Sequence, residues 1–98
     1  MSLYNLLMRF VYFDWDEHNV DHILLHQVAP DEAEEACTNR PHVRRTRQGR
    51  LLVYGQTDVG RYLLVVVQPQ GHGVARVITA RDMTAKEKRF YQQQRKGS

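Results

Sequence analysis

The segment Arg61–Gln68, RYLLVVVQ, decides the fold of this chain. Its apolar run from Leu63 to Val67 is uninterrupted, whereas a strand with one solvated face alternates apolar and polar residues. An uninterrupted run of this kind is typical of a strand buried on both sides. The sequence therefore predicts a central β-strand that is covered on both faces.

Further strands are predicted on either side of this central strand along the chain. The polar segment His42–Arg47 contains few strand-forming residues, so we expect it at an edge of the sheet. Arg50–Thr57, RLLVYGQT, follows a tight turn at Gln48–Gly49, and Val74–Arg81, VARVITAR, comes after a Gly-rich loop. Short connections between successive strands favour antiparallel pairing, so these four strands predict a meander.

The rest of the chain predicts one strand and three helices. These are a strand at Met8–Phe13, a helix at Glu17–Gln27 capped by Asp16, a short helix from Pro30 to about Asn39, and a last helix from Thr84 to about Arg95. Thr84 and Glu87 have the spacing of a capping box for the last helix. We therefore predict a single α+β domain over residues 1–98, with an antiparallel sheet, two N-terminal helices and one C-terminal helix.

Length and composition exclude several classes of protein. Ninety-eight residues with 42 % hydrophobic and 26 % charged residues indicate one small globular domain, and they exclude a two-lobed enzyme. The single cysteine, Cys37, excludes an intramolecular disulfide and carries no sign of a nucleophile. No apolar run approaches the roughly 20 residues of a membrane span, and the start does not resemble a secretory signal. We expect a cytoplasmic protein that does not bind a membrane.

The formal net charge of +3 conceals a strong asymmetry along the chain. Residues 1–39 carry one basic and eight acidic residues, whereas residues 40–98 carry thirteen basic and three acidic residues. Every basic residue before residue 82 is an arginine, the side chain best suited to bidentate phosphate contacts. Two interpretations are open: a surface that faces a polyanion, or basic residues that pair with the chain's own acidic helices.

Two arginines stand at the ends of apolar strands. Arg61 opens the central strand, and Arg81 ends the strand that follows it. In an antiparallel hairpin these two ends lie side by side, so both guanidinium groups are able to converge on one phosphate. Paired guanidinium groups would stabilise the charge of a pentacovalent phosphorane. The alternative is that both side chains simply reach solvent.

His18, His22 and His26 recur at intervals of four and so share one face of the predicted helix. This face lies opposite the apolar stripe, so we do not expect the histidines in the core. Three interpretations remain open: a solvated face, an acid–base or nucleic-acid-binding role, and a metal site. No Cys or Glu-x-x-His pattern completes a metal site, so we assign none.

The last helix is basic and carries an aromatic residue. Lys86, Lys88 and Arg89 precede Tyr91, so a base could stack on Tyr91 while the cations hold the nucleic-acid backbone. Packing of Tyr91, together with Phe90, onto the sheet is the alternative.

These residues carry a family resemblance over positions 10 to 95. The segments that carry it are Phe13–Asp16 (FDWD), Asn19, His22–Ile23, His26, Pro30–Glu32, Glu34–Ala36, Arg61–Val66 (RYLLVV), Ile78–Thr84 (ITARDMT), Lys86–Arg89 (KEKR) and Tyr91. Together they resemble the BrnT family of type II toxins. Many family members have Lys near position 19 and Lys-His-Gly near position 26. This chain has Asn19 and His26–Val28 (HQV) instead, so it resembles a histidine-bearing branch.

The resemblance implies a RelE-like fold and a metal-independent ribonuclease without a cofactor. It also implies a small DNA-binding antitoxin as partner, with operator DNA bound only through the toxin–antitoxin complex. Attack of a ribose 2′-hydroxyl on the adjacent phosphate would be the reaction. On this interpretation the catalytic residues are Arg61, Arg81, His26 and Glu87, and the RNA-binding residues are Arg50, Lys86, Arg89 and Tyr91. His22 is a second candidate for the base. A non-catalytic nucleic-acid-binding or adaptor module of the same fold is the alternative function.

Overall fold

The computed structural model describes residues 12–96, which form five strands and three helices. In chain order these are β1 (Tyr12–Phe13), α1 (Glu17–Leu24), α2 (Pro30–Thr38), β2 (His42–Arg45), β3 (Leu51–Gln56), β4 (Tyr62–Pro69), β5 (Val74–Asp82) and α3 (Ala85–Lys96). The predicted α+β class is confirmed. Most predicted boundaries lie within one or two residues of the observed ones.

All five strands belong to one sheet with the order β1-β5-β4-β3-β2. Strands β2 to β5 form the predicted antiparallel meander, and β2 is an edge strand as expected. The predicted antiparallel sheet has one further pairing, because the short strand β1 pairs parallel to β5, with Tyr12 opposite Val74. No hairpin joins β1 to β5, so a turn does not fix their relative direction. Most of the strand predicted at Met8–Phe13 lies outside the described residues.

Helix α1 ends three residues before the predicted boundary. Gln27 adopts a left-handed backbone with φ of 59°, which stops the helical hydrogen-bond pattern. Its N–H donates to the Leu24 carbonyl at 2.9 Å, and the Val28 N–H donates to the Ile23 carbonyl at 3.1 Å. This is the bonding pattern of a Schellman motif, which satisfies the last carbonyls of the helix. The motif turns the chain sharply into α2.

The Asn19 side chain closes the N-terminus of α1 together with Asp16, a role that the sequence did not predict. Asp16 caps the helix as predicted, because its carboxylate accepts from the Asn19 N–H at 3.1 Å. The Asn19 amide is buried and reaches across to β5, where it donates to the Val77 carbonyl at 3.3 Å. Asn19 therefore ties the start of α1 to the sheet.

The alternation of side chains in β4 divides the apolar residues between two cores. Leu63, Val65 and Val67 face α1 and α2 in the larger core. Leu64 faces the opposite side, in a smaller core with Tyr91 of α3. The predicted covering of β4 on both faces is therefore confirmed. The acidic helices α1 and α2 lie on one face of the sheet, and the basic helix α3 lies on the other.

A register irregularity in β5 keeps its apolar residues in one core. Val66 of β4 pairs with Thr79, and the next residue, Val67, pairs with Val77, so Ile78 is an extra residue on β5. Such a bulge reverses the alternation of the strand beyond it. Val77 and Ala80 consequently face the same core although they are three residues apart.

Helix α2 rests directly on the backbone of β3. A Cβ atom added to Gly55 would lie 1.9 Å from the carbonyl oxygen of Ala36. The helix presents small side chains there, Ala33, Ala36 and Cys37, all buried. Because these side chains are small, the backbone of α2 can approach the sheet closely. Cys37 is a residue of the core, and its burial raises the pKa of the thiol.

No helix between residues 12 and 96 has both the length and the apolar character needed to cross a membrane.

Substitution of Gly55 by Ala tests this close contact. We expect Gly55→Ala to lower the free energy of unfolding by about 3 kcal/mol, because the atom that must move belongs to a helix backbone. Gly49→Ala is the matched control, since no atom lies within 4 Å of its added Cβ and its φ of 79° is the main penalty. That control should lose about 1 kcal/mol. Urea unfolding measures both, and equal losses would contradict the proposed clash.

Candidate functional site at one end of the sheet

Three strand ends meet where the sequence predicts the site. Gln56 at the end of β3 pairs with Tyr62 at the start of β4, and Leu63 pairs with Asp82 at the end of β5. Arg61 directly precedes β4, and Arg81 is the penultimate residue of β5. The predicted juxtaposition of the two strand ends is therefore confirmed. We call this region the arginine end of the sheet.

Arg61 is held on the α2 side of the sheet by several acceptors. Its Nε and Nη2 donate to the Asp82 carboxylate at 2.8 and 3.2 Å. Its Nη1 donates to the Glu32 carboxylate at 3.2 Å and to the Gln27 carbonyl at 2.7 Å. The side chain is 23 % exposed. Arg61 thus joins the loop between α1 and α2 to the ends of β4 and β5.

Arg81 is held on the opposite side of the sheet, against α3. Its Nη1 and Nη2 donate to the two carboxylate oxygens of Glu87 at 2.8 and 2.9 Å, a bidentate pair. Nη1 also donates to the backbone carbonyl of Asp82 at 3.1 Å. The Arg81 side chain is 40 % exposed, nearly twice the fraction of Arg61.

The two guanidinium groups do not converge on one point. Arg81 pairs with Leu64 and shares its face, whereas Asp82 pairs with Leu63 and meets Arg61 on the other face. Successive side chains of a strand point to opposite faces, so adjacent strand ends do not bring these two side chains together. Each guanidinium thus has a carboxylate partner of its own, and their convergence on a single phosphate stays a prediction. Asp82 lies between the arginines, bonded to Arg61 through its carboxylate and to Arg81 through its carbonyl.

Glu87 is bound on both carboxylate oxygens. The hydrogen bonds from Arg81 lower the pKa of Glu87 to about 2, against the opposing effect of partial burial. The Thr84 N–H donates to the same carboxylate at 2.8 Å, and the Thr84 hydroxyl accepts from the Glu87 N–H, which confirms the predicted capping box. A carboxylate with so low a pKa is a weak proton acceptor at neutral pH. The geometry therefore disfavours Glu87 as the general base and makes it the partner of Arg81.

The same ion pairs keep the remaining groups of the site ionised. The hydrogen bonds from Arg61 lower the pKa of Asp82, and those to Asp82 and Glu32 raise the pKa of Arg61. The hydrogen bond to Glu87 raises the pKa of Arg81. Both arginines are therefore fixed cations.

The predicted histidine face is solvated. His18, His22 and His26 are all exposed, and the rings of His22 and His26 lie edge to face with centroids 6.1 Å apart. His26 lies in the loop after α1, where its carbonyl accepts from Arg61 Nη2 at 3.4 Å. The structure thus brings His26 close to the arginine end. No cluster of three or more His, Cys, Asp or Glu side chains suited to a metal ion occurs between residues 12 and 96.

The four predicted RNA-binding residues have different surroundings. Lys86 and Arg89 are exposed on α3, close in sequence to Glu87. Tyr91 is fully buried, and its hydroxyl donates to the Arg40 carbonyl at 3.2 Å. A ring without an exposed face cannot stack on a base, so Tyr91 is a core residue, as the packing alternative supposed. Arg50 precedes β3 at the far end of the sheet, where its Nε donates to Gln68, so it is not part of the arginine end.

Two residues on the α3 side of the sheet, Tyr62 and Gln92, were not predicted as part of the site. Tyr62 is partly buried on the α3 side, and the Lys88 ammonium lies 4.9 Å from the centre of its ring. Gln92 donates to the Tyr62 hydroxyl at 3.2 Å. Tyr62 follows Arg61 directly, so strict alternation along β4 was the available signal that it points toward α3.

A polar cleft adjoins the arginine end. It has a volume of about 410 Å³ and is lined by Thr38, Asn39, Arg40, Gln56, Thr57, Asp58 and Arg95. Its walls are held by hydrogen bonds, since Arg95 donates to Gln56 at 3.1 Å and Asn39 donates to Asp58 at 2.6 Å.

The sequence of this chain matches a known protein family. A family model described as "Ribonuclease toxin, BrnT, of type II toxin-antitoxin system" matches residues 15–87. No curated protein matches the chain. The matched segment includes the arginine end from His26 to Glu87 and omits most of α3.

The Arg81–Glu87 pair makes a prediction about acid stability. The Glu87 pKa is about 2 in the folded protein and 4.5 in the absence of the fold. Folding therefore favours the ionised form, and the resulting stability is present above pH 4.5 and is lost as the pH falls toward 2. Glu87→Gln should be less stable than the wild type at pH 7, and the difference should shrink between pH 5 and 2.

Urea unfolding across that pH range is the measurement. In an Arg81→Gln background, Glu87→Gln should show a smaller pH-dependent difference, because the main partner of the carboxylate has already been removed. A stability difference between Glu87→Gln and the wild type that stays constant from pH 7 to pH 2 would contradict the ion pair.

Proposed function

Because the chain belongs to the BrnT family of type II toxin–antitoxin ribonuclease toxins, we propose that it cleaves RNA by attack of a ribose 2′-hydroxyl on the adjacent phosphate. The 2′-oxygen forms a bond to phosphorus while the bond to the 5′-oxygen breaks, which leaves a 2′,3′-cyclic phosphate and a free 5′-hydroxyl. A base accepts the 2′-hydroxyl proton, and an acid protonates the leaving 5′-oxygen. No metal ion or cofactor takes part in this proposal.

The bidentate geometry of the partly exposed Arg81 side chain is the observation that carries the proposal. Arg81 is 40 % exposed and has a planar pair of donors already aimed at two carboxylate oxygens of Glu87. A phosphate presents the same pair of oxygens, so it can take the place of the carboxylate. The pair lies at the surface, with 40 % of the Arg81 side chain and 22 % of the Glu87 side chain exposed, so a phosphate can reach the Arg81 donors from solvent.

Arg61 has a different proposed role because its donors are more fully used. Hydrogen-bond acceptors from four residues, Asp82, Glu32, Gln27 and His26, surround its guanidinium. Replacing them with a phosphate would release the loop between α1 and α2. We assign Arg61 mainly to positioning His26, with its positive charge adding to the stabilisation of the phosphorane.

His26 is the proposed base. It is exposed on the loop that Arg61 holds, whereas Glu87 is bound by Arg81 and is a weak acceptor at a pKa of about 2. Imidazole is the side chain that most often transfers protons at neutral pH. His22, whose ring contacts that of His26, is the second candidate.

The partners follow from the family and from the distribution of charge. Lys86 and Arg89 extend the basic surface from Arg81 along α3, where they can contact the phosphates on either side of the cleaved bond. We propose that a small DNA-binding antitoxin covers this surface in the inactive complex. Operator DNA is then bound only through that complex, and the free toxin acts in the cytoplasm.

A binding module without catalysis is the second candidate function. The low pKa of Glu87 and the ion pairs on both arginines favour it, because they leave His26 as the candidate base among the four predicted catalytic residues. It predicts salt-dependent RNA binding without cleavage products.

Substitution of Arg81 tests the ribonuclease proposal. Arg81→Ala should slow single-turnover RNA cleavage by about 10²–10³-fold, because it removes the donors that face the phosphorane. Expression of the variant should restore growth that the wild type arrests. Arg50→Ala, at the opposite end of the sheet, is the matched control and should cleave and arrest growth like the wild type. Cleavage should persist in the presence of a chelator.

Three outcomes separate the candidate functions. Cleavage by Arg81→Ala at the wild-type rate would contradict the role of Arg81. RNA binding by the wild type without any cleavage product would support the binding module. Loss of cleavage on addition of a chelator, restored by a divalent metal, would contradict the metal-independent mechanism.

Substitution of His26 tests the assignment of the base. His26→Gln should slow cleavage by about 10²–10⁴-fold, the range for general acid–base catalysis. The change leaves the His26 carbonyl free to accept from Arg61, so the loop should keep its position. His18→Gln, also exposed on α1, is the control and should cleave normally. A normal cleavage rate for His26→Gln would contradict His26 as the base and leave His22 as the candidate.

A further inference from the structure

Tyr62 is a partly exposed aromatic residue at the arginine end, on the side of the sheet that carries Arg81. It follows Arg61 in the chain but points away from it, toward α3. Its ring meets the buried Tyr91 ring edge to face, with centroids 6.1 Å apart. Tyr62 therefore packs against the smaller core and is still partly exposed.

Two exposed side chains of α3 also contact Tyr62. Lys88 and Gln92 are four residues apart and so share one face of the helix. The Lys88 ammonium lies 4.9 Å from the ring centre, and the Gln92 amide donates to the ring hydroxyl at 3.2 Å. Both side chains are exposed, so neither is fixed by packing. A flat ligand can displace the Lys88 ammonium without disturbing the core.

The distance between Tyr62 and Arg81 suits a nucleotide. Leu64 pairs with Arg81, and Tyr62 lies two residues before Leu64 on the same face of β4. Tyr62 and Arg81 are therefore diagonal neighbours across two strands, a relation that places side chains about 7–8 Å apart. A phosphate bound by Arg81 would leave its own base within reach of the Tyr62 ring.

We propose that Tyr62 is the stacking platform for a base of single-stranded RNA whose phosphate is bound by Arg81. The proposal rests on the proposed ribonuclease function and extends it to the substrate class. A base can reach the ring only if it is unpaired and unstacked from its neighbours, so duplex RNA is excluded. Lys88, released from the ring, is left free to contact an adjacent phosphate. Stacking alone tolerates every base, so sequence preference must come from other contacts.

A pair of oligonucleotides separates stacking from charge. The first is a single-stranded 2′-O-methyl RNA, which has no attacking hydroxyl, and the second is an abasic backbone of the same length and charge. The wild type should bind the first roughly 5- to 150-fold more tightly, which corresponds to the usual contribution of one stacked base. Fluorescence anisotropy with an end-labelled probe measures both affinities in one preparation.

Three variants of tyrosine test the position of the platform. Tyr62→Phe keeps the ring and should keep the affinity ratio, whereas Tyr62→Leu keeps an apolar contact to Tyr91 and should lower the ratio to about 1. Tyr12, 60 % exposed at the opposite end of β5, provides the matched control, and Tyr12→Leu should keep the ratio. Because each ratio is taken within one variant, partial unfolding cancels.

The outcomes distinguish this inference from the function on which it rests. A wild-type ratio retained by Tyr62→Leu, in a protein that binds and cleaves RNA, overturns the stacking platform alone. A wild-type protein that binds neither oligonucleotide overturns the proposed RNA substrate and the platform together. Tight binding of the abasic backbone with a ratio near 1 in the wild type also overturns the platform, and it shows that charge alone holds the RNA.

Discussion

The alternation of side chains along β4 and β5 is the constraint on which the rest of this structure depends. It sends Leu63, Val65 and Val67 into one core and Leu64 into the other, so the same strand supports helices on both faces. The same period of two separates Arg61 from Arg81 at the arginine end. The register between β4 and β5 thus determines both the packing of the two cores and the positions of the two arginines.

This separation gives two similar arginines unequal roles. The Arg61 guanidinium has acceptors from the α1–α2 loop, α2 and β5, so its removal would loosen three connections of the fold. Arg81 has its principal partner, Glu87, within the same short segment of chain, and exchange of that partner disturbs only the first turn of α3. A site that must bind and release a polyanion is better served by the second arrangement. Arg61, which stabilises the fold, thus lies on one face of the sheet, and Arg81, whose carboxylate partner can be exchanged, lies on the other.

The sequence predicts the features that local pattern determines and misses those that depend on distant partners. The apolar run of β4, the edge position of β2 and the Thr84–Glu87 capping box are all local, and the structure confirms them. The parallel pairing of β1 depends on a strand sixty residues away, and no turn signals its direction. At the site, pattern identified both arginines and placed them at one end of the sheet. It did not reveal the carboxylate partners of the arginines, or that Tyr91 is buried while Tyr62 is partly exposed, because these features depend on how distant elements pack on the sheet.

The small size of the domain explains why the candidate site lies on a surface. Between residues 12 and 96, most of the large apolar residues fill two thin cores or pack against them, and Tyr91 is one of these residues. A domain of this kind cannot enclose a substrate, and selectivity for RNA must then come from charges and flat rings at its edge. The net charge of +3 is too small to hold a polyanion unless the acidic and basic residues are kept apart. The sheet provides that separation, because it places the acidic helices α1 and α2 behind one face and leaves Arg81, Lys86, Lys88 and Arg89 on the other.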